Sequence, residues 1–371
     1  MEILFTGTSS SRSSFMVLAL SMDFDNGCTM KKIIIVGGGV AGLSALNRLI
    51  DLGISATLIE AGSYPSHKIC GEFFSPECLP ILNKWNLAPA KKIECVSFVT
   101  DRHTLSFSLP IHARSQSRFD FDQSLVRRAE EKGAKILTKT KVKDIGRSSI
   151  VLDSGEELSY SDLLISSGRF FGASSIPCYI GIKGHMKGIE IKNGLEMYPF
   201  SGGYAGLSSI DDDYSNFTCL MSMNMHRKED LLQKLFEMAP HLQRRLQNGH
   251  LAFDNWMTCQ IPAFGIKKTP QWANTYFIGD AAGTIPPASG LGLSIAITSG
   301  YMAADYAARG DSLGFQNAWY TKYKEVFTYG HLLHRLLTTP LAFRFVASIA
   351  RLFPSLPLIL FEKTRFLSKE D

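Results

Sequence analysis

Two glycine-rich turns hold the residues most able to do chemistry. The first, Gly37-x-Gly39-x-x-Gly42 in "KKIIIVGGGVAGLSALNRLI", follows an apolar run and opens a helical pattern, with Glu60 standing 18 residues beyond Gly42. In such a turn the first glycine permits the tight bend, the second lets a pyrophosphate approach the backbone, and the third lets helix and strand pack closely. The helix start then offers unpaired N–H groups and partial positive charge to phosphates. Glu60 is placed to accept hydrogen bonds from adenosine ribose hydroxyls, and its charge disfavours a ribose 2′-phosphate. The ligand expected is therefore FAD or NAD, not NADP. The second turn, "GDAAGTIPPASGLG", favours FAD. A carboxylate at Asp280, after Gly279, suits the hydroxyls of a ribityl chain. Gly290-x-Gly292 opens another helix whose N–H groups would face a flavin ring and stabilise negative charge at its N1–C2=O edge. Val40 and Ala41 beside the first turn, Ala61 after the acid and Leu293 after the second turn are grouped with these as cofactor-binding positions.

The elements that must hold these turns follow from periodicity. Lys31–Val36 reads as a buried parallel strand, Val40–Leu52 as a helix closed by Gly53, and Ala56–Glu60 as the next strand. Pro76–Trp85 reads as a short helix and Glu94–Pro110 as strands. Asp122–Lys132 reads as a helix capped by Asp122 and closed by Gly133. Lys135–Thr138, a pairing around Asp153–Glu157 and Leu163–Ser166 supply more strands. From Gly184 to about Pro262 a second, mostly antiparallel sheet is expected, with helices near Lys228–Met238 and Pro240–Gln247. A strand at Thr275–Ile278 precedes the second turn, and the last sixty or so residues are helical. The fold class is α/β: a Rossmann-type FAD-binding domain, an inserted β-sheet substrate domain and a helical C-terminal region. The expected division is an FAD domain from 30–92, 112–170 and 265–312, a substrate domain from 93–111 and 171–264, and a cap over 313–371. Residues 1–29, Ser-rich and ending before Met30, read as a disordered extension or an upstream start.

Composition narrows the class further. With 371 residues, 45% apolar and 20% charged, the chain suits a globular protein with a large core. A net charge of +5, without a dense basic run, gives no case for nucleic acid. Seven scattered cysteines without a CxxC argue against a disulfide framework and a zinc site, so no metal is expected and the compartment is read as reducing and cytoplasmic. No uninterrupted apolar run of about 18 residues is present, so no spanning helix is expected.

Five stretches together carry a family resemblance: "GGGVAGLSA…E", "HKICGEFFSPECL", "RFDFDQSL", "GGYAGLS…NFTCLM" and "GDAAGTIPPASGLGLSIAITSG". From Lys31 to Phe366 the chain resembles the geranylgeranyl reductase-like family, within the flavoprotein class of the aromatic hydroxylases. The resemblance implies a glutathione-reductase-like FAD domain and reduction of C=C bonds in a hydrophobic isoprenoid-type substrate by hydride from reduced flavin. It implies that Arg118 contacts the pyrophosphate side of the cofactor and that Cys70 lies near the flavin on the substrate side. The structural alternatives are a surface salt bridge of Arg118 with Asp120 or Asp122, and a small buried thiol at Cys70. Saturating an alkene needs a proton, and Tyr204 and Cys70 are the candidate catalytic donors. His185 reads as structural. The electron donor stays open between transient NAD(P)H docking, ferredoxin and a partner protein.

The sequence also departs from its relatives. Where aromatic hydroxylases carry an Asp-Gly pair, Ser167 precedes Gly168, and where flavin halogenases carry W-x-W-x-I-P, "NWMTCQIP" has Thr258 for the second Trp. A flavin monooxygenase on a polyketide or quinone-like substrate is the alternative function; a binding protein without turnover is disfavoured by the intact motifs. In the tail, arginines 335, 344 and 351 recur among Leu, Phe and Ile. This pattern fits helices touching a bilayer, a peripheral contact, or helices packed on the core with snorkelling arginine stems.

Overall fold

The computed structural model describes residues 31–101, 104–170, 178–192, 194–223, 231–353 and 355–366. The extension expected over 1–29 and the start of the helix expected from Lys228 lie outside the described residues. The described chain opens with β1 (Ile33–Val36), α1 (Val40–Asp51), β2 (Ala56–Ile59), β3 (Phe73–Phe74) and α2 (Leu79–Lys84). Next come β4 (Lys91–Val99), β5 (Thr104–Ser115), α3 (Arg118–Glu131), β6 (Lys135–Leu137), β7 (Val142–Ile145), β8 (Ser149–Leu152), β9 (Glu157–Ser159) and β10 (Asp162–Ile165). The middle of the chain forms β11 (Tyr179–Lys187), β12 (Gly194–Phe200), β13 (Gly203–Ser209), β14 (Ser215–Ser222), α4 (Leu231–Met238), α5 (Pro240–Leu246), β15 (His250–Leu251) and β16 (Met257–Ile261). It closes with β17 (Gly265–Ile266), β18 (Thr275–Phe277), β19 (Gly283–Thr284), α6 (Gly292–Arg309), α7 (Ser312–Thr338), α8 (Pro340–Leu352) and α9 (Leu356–Lys363).

Five of these strands form a parallel sheet in the order β18-β10-β1-β2-β6. The central strand is the unbroken apolar run Ile33–Val36, buried throughout because helices cover both faces of a parallel sheet. Helix α1 runs from the first glycine turn and packs against α6, with the Ser44 hydroxyl donating to the Ile297 carbonyl at 2.7 Å. The two cofactor-type turns therefore follow β1 and β18, two strands separated only by β10, and feed two helices in mutual contact.

The second sheet runs β15-β11-β14-β13-β12-β4-β5-β3, with β16 also paired to β11. Its pairings are antiparallel except that of β4 with β12. It begins at Tyr179 rather than Gly184 and recruits β3, β4 and β5 from the first third of the chain. Helix α7 lays Phe315, Trp319, Tyr323, Phe327 and Leu337 inward along one side, where repeats of three and four place them on one face.

The start expected for one helix is corrected as well. Helix α3 starts at Arg118, a turn before Asp122, with Ser117 as its N-cap accepting from the Phe119 N–H at 3.2 Å. Asp122 is not a cap. It lies four residues after Arg118, on the same side of the helix, and is buried in an ion pair with it.

Candidate functional site

A cavity of about 580 Å³ opens where the parallel sheet, the large sheet and the C-terminal helices meet. Its polar end is lined by Gly37, Gly39, Glu60, Arg118, Asp280 and Gly292, and Val40, Ala41, Gly290 and Leu293 also border it. Its apolar branch is lined by Val96, Phe98, Phe107, Leu195, Met197 and Phe361. Tyr204 and Cys70 border it too. Thus residues from both sequence motifs and both candidate proton donors face one space.

The glycines divide by role. Gly37 has φ +101°, and a Cβ there would lie 2.4 Å from the Ser166 carbonyl oxygen. A Cβ on Gly42 would lie 2.1 Å from the Gly37 carbonyl oxygen, so Gly42 faces packing rather than the cavity. A Cβ on Gly39 or Gly292 would meet no heavy atom within 4 Å. These two positions form an open cradle at the starts of α1 and α6, neither of which has a side-chain cap. Free N–H groups and cavity space coincide there, which is what a phosphate and a flavin edge require. Gly279 (φ +56°) does not line the cavity; its N–H donates to the Ser299 hydroxyl at 3.0 Å, which holds the loop carrying Asp280. Ala61 is exposed and stands apart from the cavity lining, because the chain turns outward directly after Glu60.

Glu60 accepts from the Gly38 N–H at 2.7 Å and the Gly62 N–H at 2.8 Å. These bonds aim its carboxylate along the turn, where ribose hydroxyls would lie. Burial pushes the Asp280 carboxyl up, and the nearby charges of Arg169, Lys267 and Arg118 oppose that shift. Arg118 forms a buried, two-pronged ion pair with Asp122 at 2.6 and 2.7 Å. The expected pairing with Asp122 is therefore present, but in the cavity wall rather than on the surface. The donor set fits FAD: an acid for ribose, two uncapped helix starts beside open glycines, and a half-buried acid for the ribityl chain.

Cys70 is half-buried, and its sulfur accepts from the Glu72 N–H at 3.4 Å. Tyr204 is 4% exposed and its hydroxyl accepts from the Ala288 N–H at 2.8 Å. That bond ties the large sheet to the turn before Gly290. Burial raises the Tyr204 phenol well above its ordinary value and keeps it protonated.

Sequence reasoning missed the group that holds the Cys70 loop. Glu72 is fully buried, with φ +54° in the left-handed region that a side chain rarely adopts. Its carboxylate accepts from the Arg118 N–H at 2.8 Å, from the Lys183 ammonium, and pairs with His185 Nε2 at 2.8 Å. Lys183 also donates to the Lys68 carbonyl at 3.0 Å, and Asn216 to the Cys70 carbonyl at 3.1 Å. Burial alone would raise the Glu72 carboxyl, but the His185 hydrogen bond and the Lys183 charge hold it below its ordinary value. His185 is thus a structural partner, as the sequence suggests, but of a charged cluster against the cavity. The available signal was "GIKGHMK": Lys183 and His185 alternate along a strand whose other face is apolar.

At the hydroxylase Asp-Gly position, Ser167, Gly168 and Arg169 line the cavity. Trp256 packs edge-on against Phe217, with ring centroids 5.3 Å apart, and is not among the lining residues.

No family model matches this sequence. The chain is 23% identical over 359 residues to a menaquinone reductase of Mycolicibacterium smegmatis, covering 84% of this chain and 86% of that protein. It is 21% identical over 358 residues to a menaquinone reductase of Mycobacterium tuberculosis, covering 83% and 84%. Among solved structures, the flavin-dependent brominase Bmp2 is similar with TM-score 0.74 and 18% identity, over 90% of this chain and 94% of that one. PqsL of Pseudomonas aeruginosa, described as a probable FAD-dependent monooxygenase, is similar with TM-score 0.69 and 14% identity, over 85% and 99%. The structural likenesses establish the fold: an α/β architecture with a Rossmann-like parallel sheet, a second mixed sheet and C-terminal helices.

Proposed function

We propose that this protein is an FAD-dependent oxidoreductase that saturates C=C bonds in a hydrophobic, isoprenoid-type substrate. One observation carries the reading: a single cavity joins the glycine cradle and its two acids to an aromatic and aliphatic branch. Such a branch suits a chain with no polar groups to satisfy. The curated relatives, named menaquinone reductases, support a reductase over an oxygenase.

Bound at the polar end, FAD would supply the hydride. The chain's own residues bind, orient and protonate. Glu60 would hold the ribose, Arg118 the pyrophosphate side and Asp280 the ribityl hydroxyls, and the N–H groups at the α6 start would hold the ring. Phe98, Phe107 and Phe361 exclude water and align the substrate. Tyr204, kept protonated by burial, stands as proton donor, with Cys70 as the second candidate. Reducing equivalents would come from NAD(P)H docking transiently or from a partner protein in a reducing compartment.

The test is anaerobic incubation of the FAD-loaded protein with a chemical reductant and detergent-dispersed menaquinone or a geranylgeranyl lipid, read by mass spectrometry. Two hydrogens gained per double bond are expected. Oxygen incorporation in air, without that gain, would make the protein a monooxygenase and sink the reductase reading.

A further inference from the structure

Helix α8 contradicts the usual pattern of a surface helix. Its inward side buries Phe343 and Ala350, at 5% and 2% exposure. Its outward side should then be polar. Instead the outward stripe is Leu341, Phe345, Ser348 and Leu352, spaced by four, three and four residues along one face. Leu341 is 78% exposed, Phe345 68% and Leu352 78%, and Phe353, directly after the helix, is 62% exposed. Ile359 of α9, at 49%, and Leu332 of α7, at 58%, add exposed apolar side chains on the adjoining helices. Single exposed leucines are ordinary, but a stripe of large apolar groups is not.

Charge selects what covers this face. From His331 to Phe366 the sequence holds five Lys/Arg and one acidic residue, the exposed Glu362, and one of the five, Arg365, is turned inward against the buried Glu77. Arg335, Arg344 and Lys363 are exposed. A two-fold contact with a second copy would set this cationic, acid-poor patch against itself. An anionic surface complements it. No helix among the described residues is long and apolar enough to cross a membrane, so the helix would lie in the interface plane rather than span. The same helices reach the cavity: Phe361 of α9 and Leu333 of α7 line it, and the α8 ring of Phe343 sits 5.7 Å from that of Phe98 in its apolar branch.

We propose that the outward face of α8, with α9, docks on an anionic lipid bilayer and sets the apolar branch of the cavity beside the acyl region. The docking face stands on exposure and charge; only its purpose, loading a substrate from the bilayer, rests on the proposed function.

The experiment is flotation of the full-length FAD-loaded protein with vesicles of phosphatidylcholine plus phosphatidylglycerol, and with phosphatidylcholine alone. Binding is expected to the mixed vesicles, weakened but not abolished by salt. Phe345→Asp and Leu352→Asp should each lower partition about tenfold, with FAD content and melting temperature unchanged. Phe345→Trp should be quenched by bromine-labelled acyl chains. Absence of flotation, unaltered binding of the Asp variants, or an unquenched Trp would each overturn the proposal. So would a dimer in sedimentation velocity that Phe345→Asp dissociates, since a second copy would then cover the face. Vesicle binding is read without turnover, and the product assay uses detergent-dispersed substrate, so either reading can fail alone.

Discussion

Lys183 and Glu72 form an ion pair with no exposed side-chain surface. A pair this buried gains stability only while each partner keeps the other and its remaining hydrogen bonds. Lys183→Met would strand the Glu72 charge against His185 and the start of α3. The variant should lose roughly 3–5 kcal/mol of unfolding free energy, and adding Glu72→Gln should restore a large part of it, because a neutral amide needs no counter-charge. Chemical denaturation of both variants and the double variant checks this. A double variant no more stable than Lys183→Met would remove the ion pair as the reason for the loss. The bonds also offset the cost of the left-handed Glu72 backbone, on the order of 1–2 kcal/mol, and so hold Cys70 where it borders the cavity.

The glycine turn separates ligand approach from packing at the level of a single element. Gly39 has φ −72°, a conformation open to any residue, and its missing Cβ leaves cavity space. Serine there suits the N-cap position of α1. Gly39→Ser should keep stability within about 1 kcal/mol yet weaken FAD binding at least tenfold by occupying the phosphate's place. Gly42→Ser should instead cost roughly 1–3 kcal/mol of stability through its collision with the Gly37 carbonyl. Thermal melting beside fluorescence titration with FAD separates the two, and equal effects on both quantities would dissolve the distinction. This turn was legible in the sequence because its parts lie within one βαβ unit, where chain spacing sets distance. The start of α3 was not: an aspartate before an apolar run looks like a cap, but Ser117 is the residue whose hydroxyl reaches the free N–H.

Across the whole molecule, acid should destabilise the fold through the interface of α7 with the large sheet. His334 is buried there against Tyr179, whose hydroxyl lies 3.1 Å from His334 Nε2. Burial first, then the neighbouring His331 and Arg335, lower the His334 pKa from 6.5 to about 4. Between those values the unfolded chain binds a proton that the folded chain refuses, so stability is full above about pH 6.5 and falls toward pH 4. The loss from this group is on the order of 3 kcal/mol. Glu72, with its lowered pKa, adds its own loss only as the pH falls below its unfolded value of 4.5. Denaturation between pH 7 and pH 4.5 should show a shallower slope in His334→Gln than in the parent, and parallel slopes would exclude His334 as the source.

The sequence alone determined what depends on short chain distances: the βαβ opening, the two glycine turns, Glu60 and Asp280, and the helical tail. Hydrophobic period and turn chemistry act over a few residues, so spacing suffices to read them. Tertiary structure decided the rest. Glu72 meets Lys183 and His185 across 111 and 113 residues of sequence. Strands β3, β4 and β5 join a sheet built mainly from later residues. The tail's apolar residues divide into those lining a cavity and those facing out only when α7, α8 and α9 pack. Each of these depends on which surfaces exclude water once the chain has folded back on itself, and local pattern carries no record of that.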